Sequence, residues 1–404
     1  MRSKDEKKIL WEISDSVGHR FRKRRFITNV ILPQIKKHHW ASAVAPAVHP
    51  QTLLLVRIDL IGDYILFRNF LRYIRNSERY RNYTITLCGN IVYKNLAESL
   101  DQSNVDHFIW VDRDRFIKDK SYYLQMMEEI HSRGFETALQ PTFSREIYGD
   151  LLIYASQAPE CVGVMGDDSQ ERPDQKAVTD TFYHRLIQVS ETPRFEFERN
   201  REIISAFINQ EIECLQPTLE FPNSTSFTLP NEKYAVIVPG ASSHYKTWLG
   251  FDHVVTYLRQ QYGLFPVIVG HGKADRKRIR ALIKKLTPPI INYCDKTTLV
   301  ELAFLLKHAA IVISNDTAAM HMAAAQGTRT ICVTSGSHAF RFNHYPENFN
   351  NWLRFIFPPQ MEELKKTGQF TQYASDYKNN IPIHSITVAR VCSAADELLQ
   401  DAKE

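Results

Sequence analysis

The chain has 404 residues, of which 44% are hydrophobic and 24% are charged, and this ordinary globular composition excludes disordered and fibrous proteins. The length predicts two domains of roughly 150–200 residues each rather than one. The formal net charge of +5 is too small to predict a nucleic-acid partner, but it suits a substrate that carries phosphates or an anionic membrane surface.

The cysteines and the first residues of the sequence indicate the cellular compartment. The six cysteines are scattered without a CxxC pair, so we expect free thiols in a reducing compartment. No apolar run approaches the roughly 20 residues that span a bilayer, and the first residues are charged where a signal peptide would be apolar. We therefore expect a cytoplasmic protein, or one attached peripherally to the inner face of the cytoplasmic membrane.

The first 50 residues form a basic amphipathic extension. Ile9, Ile13, Val17 and Phe21 recur four residues apart, which predicts one apolar helical stripe, and a basic cluster follows at 20–25. Such a helix can lie on anionic lipid. It can also pack on the first domain with its charged face in solvent. Both interpretations stay open at the level of the sequence.

From residue 51 onward, apolar runs typical of buried strands alternate with helical stretches. In the first half the predicted strands are Leu53–Val56, Thr84–Cys88, Phe108–Val111 and Thr137–Leu139, and a helix is predicted at Ile61–Arg75. Residues 191–230 are rich in proline and polar side chains, which predicts a connection between two domains.

The second half repeats the alternation. The predicted strands are Ala235–Val238, Pro266–Val269, Ile290–Tyr293, Ile311–Ser314 and Thr330–Thr334. The predicted helices are Phe251–Tyr262, Asp275–Leu286, Leu299–His308, Thr317–Gln326 and Ser385–Leu399. This pattern predicts an α/β protein with two Rossmann-like, doubly wound parallel-sheet domains facing a cleft. We place the domains at 51–225 and 226–375, after the extension at 1–50 and before a C-terminal helix at 376–404.

Three segments follow predicted strands, where parallel sheets place their ligand sites. The first runs from Arg57 to Asp63. Gly62 lets the backbone turn tightly, and Asp63 would then lie at the mouth of the cleft. An acid in this position also suits a simple helix cap, which is the structural alternative.

The second segment runs from Val238 to Trp248. Its small residues would expose backbone N–H groups to an anion, and Lys246 adds a positive charge on a flexible stem. The alternative is a surface loop with an incidental lysine.

The third segment, Ser314 to His321, passes from a polar strand end into an alanine-rich helix. The start of such a helix favours phosphate, and His321 lies four residues after Thr317 on the same face. The alternative is that Asp316 caps a core helix while His321 is satisfied in the interior.

Together, the order and spacing of these segments resemble glycosyltransferase family 9, the bacterial heptosyltransferases of lipopolysaccharide core synthesis. Asp59 to Asp63 is similar to the family's small-x-x-Gly-Asp turn, and Gly240 to Trp248 to its small-residue loop ending in Lys and Trp. Asp316 to Gln326 resembles the signature Asp-Ser/Thr-Gly-x-x-His before an alanine-rich helix, and Asp295 to Leu299 resembles its Gly-Lys-Thr-Ser-Leu step. The resemblance covers roughly residues 52–399.

The sequence departs from the family pattern at three places, and these departures bear on which donor sugar and which acceptor the enzyme uses. Ala318 stands where the family usually has glycine, and Asp59 where it has Ser or Thr. The segment Ser335–Pro346 lacks the usual Gly-Pro-Thr.

The resemblance implies a GT-B fold and an inverting transfer of a sugar, heptose from ADP-heptose, to a glycan acceptor such as the inner core of lipopolysaccharide. Asp63 would be the general base, since an aspartate is ionised at neutral pH and needs only correct placement. The donor-binding residues that it implies are Gly240, Ala241, Ser242, Lys246, Asp316, Thr317, Ala318 and His321.

We expect no metal and no cofactor, because Lys246 and helix dipoles would neutralise the leaving diphosphate. The triplet Asp112-Arg113-Asp114 looks like a metal-binding DxD, but it follows a strand of the acceptor-side domain and holds an arginine between the acids. We interpret it as a solvated loop.

The acceptor is expected to be an anionic glycan or glycolipid, which arginine can bind in bidentate fashion. The candidate acceptor-binding residues are Arg57, Arg68 and Arg145, and the resemblance favours Arg145 through its lead-in Gln140–Ser144. The alternative for each is an exposed, solvated face.

Other functions stay open. The same fold could use another nucleotide sugar, or a protein or capsule acceptor, and a non-catalytic nucleotide-sugar-binding module is a second alternative. A nicotinamide-dependent enzyme is disfavoured because no GxGxxG follows either opening strand.

Overall fold

The computed structural model of the protein describes residues 46–190, 192–220, 227–343, 345–370 and 381–400. The predicted amphipathic helix of the N-terminal extension lies outside the described residues, so both of its interpretations stay predictions. Among the helices that are described, none is long and apolar enough to cross a membrane.

The described residues form two compact units, and neither is continuous in sequence. Unit 1 contains residues 46–59, 75–94 and 105–189. Unit 2 contains 60–74, 95–104 and the described residues from 190 onward. The segment around Asp63 therefore belongs to the same unit as the second half of the chain. The predicted domain limits at 51–225 and 226–375 stay predictions.

Unit 1 is built on a parallel sheet of six strands. These strands are β1 (His49–Arg57), β2 (Thr84–Asn90), β3 (His107–Val111), β4 (Phe135–Leu139), β5 (Glu160–Val164) and β6 (Arg185–Ile187). Their order is β3-β2-β1-β4-β5-β6. Strand β1 pairs in parallel with β2 and β4, and its inner residues are fully buried, as expected for a strand covered on both faces.

The helices before residue 190 have 5 to 13 residues. They are α1 (Ile61–Ile65), α2 (Leu71–Asn76), α3 (Lys94–Leu100), α4 (Arg113–Lys118), α5 (Lys120–Ser132), α6 (Ile147–Ser156) and α7 (Pro173–Thr179). The single helix predicted at Ile61–Arg75 is wrong, because a 3-10 turn at Arg68–Phe70 separates α1 from α2. Residues 64–71 are all buried, whereas one straight amphipathic helix would bury a single stripe.

Unit 2 has a second parallel sheet of six strands. These are β7 (Tyr234–Val238), β8 (Phe265–Ile268), β9 (Ile291–Asn292), β10 (Ile311–Asn315), β11 (Thr330–Val333) and β12 (Leu353–Ile356), in the order β12-β11-β10-β7-β8-β9. Its later helices are α8 (Glu196–Ile208), α9 (Phe251–Tyr262), α10 (Gly272–Ile283), α11 (Leu299–Lys307), α12 (Ala318–Ala324), α13 (Ala339–Phe342), α14 (Pro359–Lys366) and α15 (Val388–Gln400). Helix α15 packs into the core of the unit, with Val391 and Leu398 fully buried.

The region predicted as a connection at 191–230 is partly wrong. It contains helix α8, whose side chains Phe197, Ile203 and Ile204 are fully buried. Pro193 and Pro217 lie outside this helix and do not interrupt it, and the helix ends at Asn209, which adopts the left-handed conformation of a C-cap.

Candidate active site

The carboxyl ends of the two central strands of unit 2 meet at one edge of the sheet. Strands β7 and β10 run in parallel, with Val238 opposite Ser314. Because the strands end in register, the second segment after β7 and the third segment after β10 leave the sheet side by side. The sheet topology therefore brings together two of the three segments predicted from the sequence.

A buried amide joins these two segments. The Asn315 side chain is fully buried, and its Nδ2 donates to the carbonyl oxygens of Pro239 and Gly240, each at 3.1 Å. Its Oδ1 accepts from the backbone N–H of Trp248 at 3.1 Å. One side chain thus holds both ends of the loop that carries Lys246. The sequence prediction did not assign a role to Asn315.

Lys246 and Asp316 form an ion pair. The distance from Lys246 Nζ to Asp316 Oδ2 is 2.8 Å, and the side chains are 22% and 9% exposed. Burial lowers the pKa of the Lys246 ammonium, but the adjacent Asp316 carboxylate outweighs burial, so the pKa is raised. Lys246 is therefore a cation at neutral pH, held at a defined position beside the start of α12.

Asp316 does not cap α12, so the alternative interpretation of this residue as a helix cap does not fit the structure. The residue in the N-cap position is Thr317, whose Oγ1 lies 3.0 Å from Ser314 Oγ. The Asp316 carboxylate accepts instead from Lys246. Ala318, which replaces the family's glycine, begins the helix and has the ordinary helical conformation that alanine adopts readily.

His321 is neutral and buried. Burial lowers the pKa of the imidazole to about 4, against a smaller opposing influence of Asp316. Its Nδ1 lies 2.7 Å from the hydroxyl of Tyr345, and the two rings stack at a centroid distance of 5.9 Å. Sequence reasoning missed Tyr345, because it lies 24 residues farther along in a segment without a motif.

The turn that carries Asp63 packs on α12. A Cβ added to Gly62 would lie 3.1 Å from Cδ2 of His321 and 3.9 Å from Cα of Ala318, so the absence of a side chain permits this close approach. Asp63 follows directly and is partly buried. Its Oδ2 accepts from the backbone N–H of Leu60 at 3.3 Å. This contact is that of a helix cap, which supports the structural alternative for Asp63. The part of the first segment that carries Gly62 and Asp63 lies within unit 2, together with the second and third segments.

The small residues of the loop have a structural explanation as well. A Cβ on Gly240 would lie 2.4 Å from Oδ2 of Asp275, which is on α10. Arg278, on the same helix, donates to the carbonyl oxygen of Ala241 at 3.2 Å. Ser242 is exposed. Helix α10 therefore fixes the loop from the side opposite to Asn315's strand.

Arg68, which was predicted to contact the acceptor, lies in unit 2 and is buried, with hydrogen bonds to other residues of the protein. Its Nε and Nη2 donate to the two carboxylate oxygens of Asp101 at 3.2 and 2.8 Å. Its Nη1 donates to the carbonyl oxygen of Thr218 at 3.0 Å. The predicted alternative of an exposed face is wrong, because only 9% of Arg68 is exposed.

The two acceptor candidates of unit 1 are buried too. Arg57 is fully buried, with Nη1 2.7 Å from the Pro141 carbonyl oxygen and Nε 2.7 Å from Asp59 Oδ2. Arg145 is 2% exposed and pairs with Asp150 at 3.0 Å and with Asp180. Each arginine has a structural partner, and an acceptor role for Arg57, Arg68 and Arg145 stays a prediction.

The DxD-like triplet starts a helix rather than forming the predicted loop. Asp112 caps α4 by accepting from the backbone N–H of Arg115 at 3.0 Å. Asp114 pairs with Lys118 at 3.0 Å, and Arg113 pairs with Glu146. Within the described ranges, no group of three or more His, Cys, Asp or Glu side chains is arranged to hold a metal ion.

Two units with six-stranded parallel sheets and flanking helices give the chain a GT-B-type α/β fold. The chain belongs to glycosyltransferase family 9 (heptosyltransferase), since the model of this family matches residues 151–373, more than half of the chain. The resemblance predicted from the three segments is confirmed. Comparison with proteins of curated function finds no match in sequence.

Solved structures share the fold at low sequence identity. A family 9 glycosyl transferase from Veillonella parvula DSM 2008 has a TM-score of 0.66 and 18% identity, over 88% of this chain and 99% of that one. The E. coli ADP-heptose lipopolysaccharide heptosyltransferase II has a TM-score of 0.62 and 15% identity, over 87% of this chain and 100% of that one. The E. coli heptosyltransferase WaaC with ADP-2-deoxy-2-fluoro heptose has a TM-score of 0.59 and 13% identity, over 87% of this chain and 99% of that one.

Proposed function

We propose that the protein is an inverting heptosyltransferase that moves heptose from ADP-heptose to a hydroxyl of an anionic glycan or glycolipid acceptor, such as the inner core of lipopolysaccharide. Family membership supports the reaction class. The names of the E. coli neighbours support the donor and the acceptor class, since they are an ADP-heptose lipopolysaccharide heptosyltransferase and a heptosyltransferase with an ADP-heptose analogue.

One observation carries the proposal: a possible base, a cation and a strand-end carboxylate, far apart in sequence, belong to one compact unit. Gly62 packs on His321, which places the Asp63 turn against α12. Lys246 pairs with Asp316 at the start of the same helix. Grouping of this kind at the carboxyl edge of a parallel sheet is where ligands bind in doubly wound folds.

The proposed step is a single displacement at the anomeric carbon. The acceptor oxygen forms the new bond to this carbon while the bond to the diphosphate oxygen breaks, and ADP leaves with the electron pair. Asp63 takes the proton of the acceptor hydroxyl. General-base catalysis of this kind contributes about 10²–10⁴-fold to the rate.

The remaining residues bind the donor. Lys246 meets the diphosphate, whose negative charge grows as the bond breaks, together with backbone N–H groups of the loop at Gly240, Ala241 and Ser242. Thr317 and Ala318 lie beside it at the start of α12, and Asp316 and His321 hold sugar or ribose hydroxyls or phosphate oxygens. Lys246 takes the place of a metal, so we propose a metal-independent enzyme without a cofactor.

The other predictions are carried forward as parts of this proposal. Residues 51–225 form the acceptor-side domain, in which Arg57, Arg68 and Arg145 are the acceptor contacts. Residues 226–375 form the donor-side domain. The protein works in the cytoplasm, with the basic extension at 1–50 making a peripheral contact with the membrane.

The full chain tests the proposal when it is incubated with ADP-heptose and a lipopolysaccharide core acceptor that lacks heptose. We expect ADP release and an acceptor mass increase of one heptose, both unchanged by EDTA. Activity with a different nucleotide sugar only would overturn the donor assignment. Loss of activity in EDTA that Mn²⁺ or Mg²⁺ restores would overturn metal independence. Nucleotide-sugar binding without transfer to any lipopolysaccharide, capsule or protein acceptor would indicate a binding module.

A further inference from the structure

We propose that Tyr345 is a positioning residue: its hydroxyl donates to Nδ1 of His321 and fixes the imidazole as the tautomer that carries its proton on Nε2. This inference deepens the proposed function and rests on it. It concerns a residue in Ser335–Pro346, the segment in which this chain departs from the family pattern.

The assignment follows from counting protons at the 2.7 Å contact between Tyr345 and His321. If Nδ1 carried the proton and donated it, the phenolic hydrogen would need another acceptor. Among the residues that the structure describes, His321 is the hydrogen-bond partner of this hydroxyl. A buried donor that has no acceptor destabilises the folded protein by about the free energy needed to remove that donor from water. The arrangement with Tyr345 as donor avoids this cost.

Aromatic packing holds the Tyr345 hydroxyl in place. The Tyr345 ring lies 4.4 Å from the ring of Phe195 and 4.9 Å from that of Phe349, measured between centroids, and both phenylalanines are buried. Burial raises the pKa of Tyr345 well above its usual value, so the phenol keeps its proton. The histidine beside it is uncharged at neutral pH because burial lowers its pKa to about 4.

The tautomer matters because of where Nε2 lies. The ring edge formed by Cδ2 and Nε2 faces Gly62, at 3.1 and 3.7 Å from the position of an added Cβ. Gly62 precedes Asp63 in α1. With the proton on Nε2, His321 presents a neutral hydrogen-bond donor beside the turn of the proposed base. Such a donor suits a sugar hydroxyl or a phosphate oxygen of the nucleotide sugar.

The test is ¹⁵N NMR of the full chain with ¹⁵N-labelled histidine at neutral pH, with His321 assigned from the signals absent in His321→Gln. The shifts distinguish a protonated ring nitrogen from an unprotonated one. We expect the proton on Nε2 in the wild type and a mixture of tautomers in Tyr345→Phe. The control is Tyr234→Phe, which removes a buried tyrosine hydroxyl of the same unit that bonds Leu305 at 2.8 Å. This control should leave His321 unchanged.

Kinetics with ADP-heptose complete the test. We expect Tyr345→Phe to lower kcat/KM about fivefold, the loss of one neutral hydrogen bond, while Tyr234→Phe stays at the wild-type value. A proton on Nδ1 in the wild type, or the same tautomer in Tyr345→Phe, would overturn the proposal. So would a changed tautomer with unchanged kinetics. The nitrogen shifts need no turnover, so a failure of heptose transfer itself would count against the proposed function and not against the tautomer.

Discussion

Each unit contains a buried cluster of charges, and the two clusters are built differently. In unit 1, the Arg145 cluster consists of Arg145, Asp150, Glu171 and Asp180. Arg145 pairs with both aspartates, and Thr179 Oγ1 donates to Glu171 at 3.0 Å. In unit 2, the Lys246 cluster consists of the Lys246–Asp316 ion pair, on the loop after β7 and at the end of β10, and of the neutral His321 on α12.

The difference shows that a perturbed pKa does not by itself identify an active site. Burial raises the pKa of Glu171 to about 8, with the Asp150 carboxylate adding to the effect, as strongly as in many catalytic acids. Yet in the Arg145 cluster the arginine pairs with both aspartates, and Asp150 is fully buried. The Lys246 cluster lies at the carboxyl edge of a parallel sheet and keeps part of Lys246 exposed. We therefore propose a functional role for the second cluster and a structural role for the carboxyl groups of the first.

The largest expected effect is at Asp63. Asp63→Asn keeps the shape, and its amide oxygen can still accept from Leu60, but the base is lost. We expect kcat to fall by about 10²–10⁴-fold with little change in ADP-heptose binding. The control is Asp252→Asn, another acid in the first turn of a helix of unit 2. Wild-type turnover in Asp63→Asn would leave Asp63 with its capping role alone.

The next largest effect is at Lys246. Lys246→Ala removes the cation that faces the developing charge, and we expect kcat to fall by about 10²–10³-fold together with weaker donor binding. Lys285→Ala is the control, since Lys285 pairs with Asp252 at 3.1 Å in the same unit. Asp316→Ala should weaken binding of the nucleotide sugar, and Asp316→Asn should weaken it less because an amide oxygen still accepts. Equal kinetics in all four variants would remove the Lys246 cluster from the site.

A smaller effect is expected at Asn315. Asn315→Ala breaks the three hydrogen bonds that join the loop to β10 and leaves buried backbone groups without partners, which costs about 1–3 kcal/mol of stability. The KM for ADP-heptose should rise because Lys246 loses its fixed position. Asn200→Ala, another buried asparagine of unit 2, should lose similar stability without a change in KM. An unchanged KM in Asn315→Ala would show that the loop is held by α10 alone.

The smallest effect on catalysis is expected in the Arg145 cluster. The folded-state pKa of Glu171, about 8, exceeds its ordinary value of 4.5, so the folded protein holds this proton more tightly than the unfolded chain. Its contribution to the free energy of unfolding is complete below about pH 4.5 and is lost as the pH rises through about 8. Glu171→Gln cannot ionise, so its Tm should fall less than that of the wild type between pH 7 and pH 9. A larger fall, or a lower kcat at pH 7, would contradict a purely structural role.

The sequence predicted the parts of the fold that depend on local pattern. The strands β1, β7 and β10 and helix α9 were predicted because each is a continuous apolar run or a clear amphipathic stripe. The strands β5, β6 and β12 were missed because each has a glycine or an arginine among its few apolar residues, so none shows a continuous apolar run. The single helix predicted over Ile61–Arg75 is wrong because residues 64–71 are buried on every side and a 3-10 turn divides the segment.

In the candidate site too, the sequence predicted the residues that belong to local motifs and missed contacts between distant parts of the chain. Asp63, Lys246 and Asp316 stood out because glycine, lysine and acid follow strands in a recognisable order. The contacts of Asn315 and Tyr345 are with backbone groups and a side chain that lie 24 to 76 residues away in sequence, so no local pattern could reveal them. The arginines were predicted as acceptor contacts, with an exposed face as the alternative, and the structure buries each with a carboxylate partner that no local pattern indicates.

The most direct test of the central claim is a crystal structure of the full chain with ADP-heptose. The account predicts that the diphosphate lies within hydrogen-bond distance of Lys246 Nζ and of the backbone N–H groups at Gly240 to Ser242. It also predicts that the anomeric carbon lies beside Asp63. ADP-heptose bound away from Lys246, with the Lys246–Asp316 ion pair intact, would contradict it.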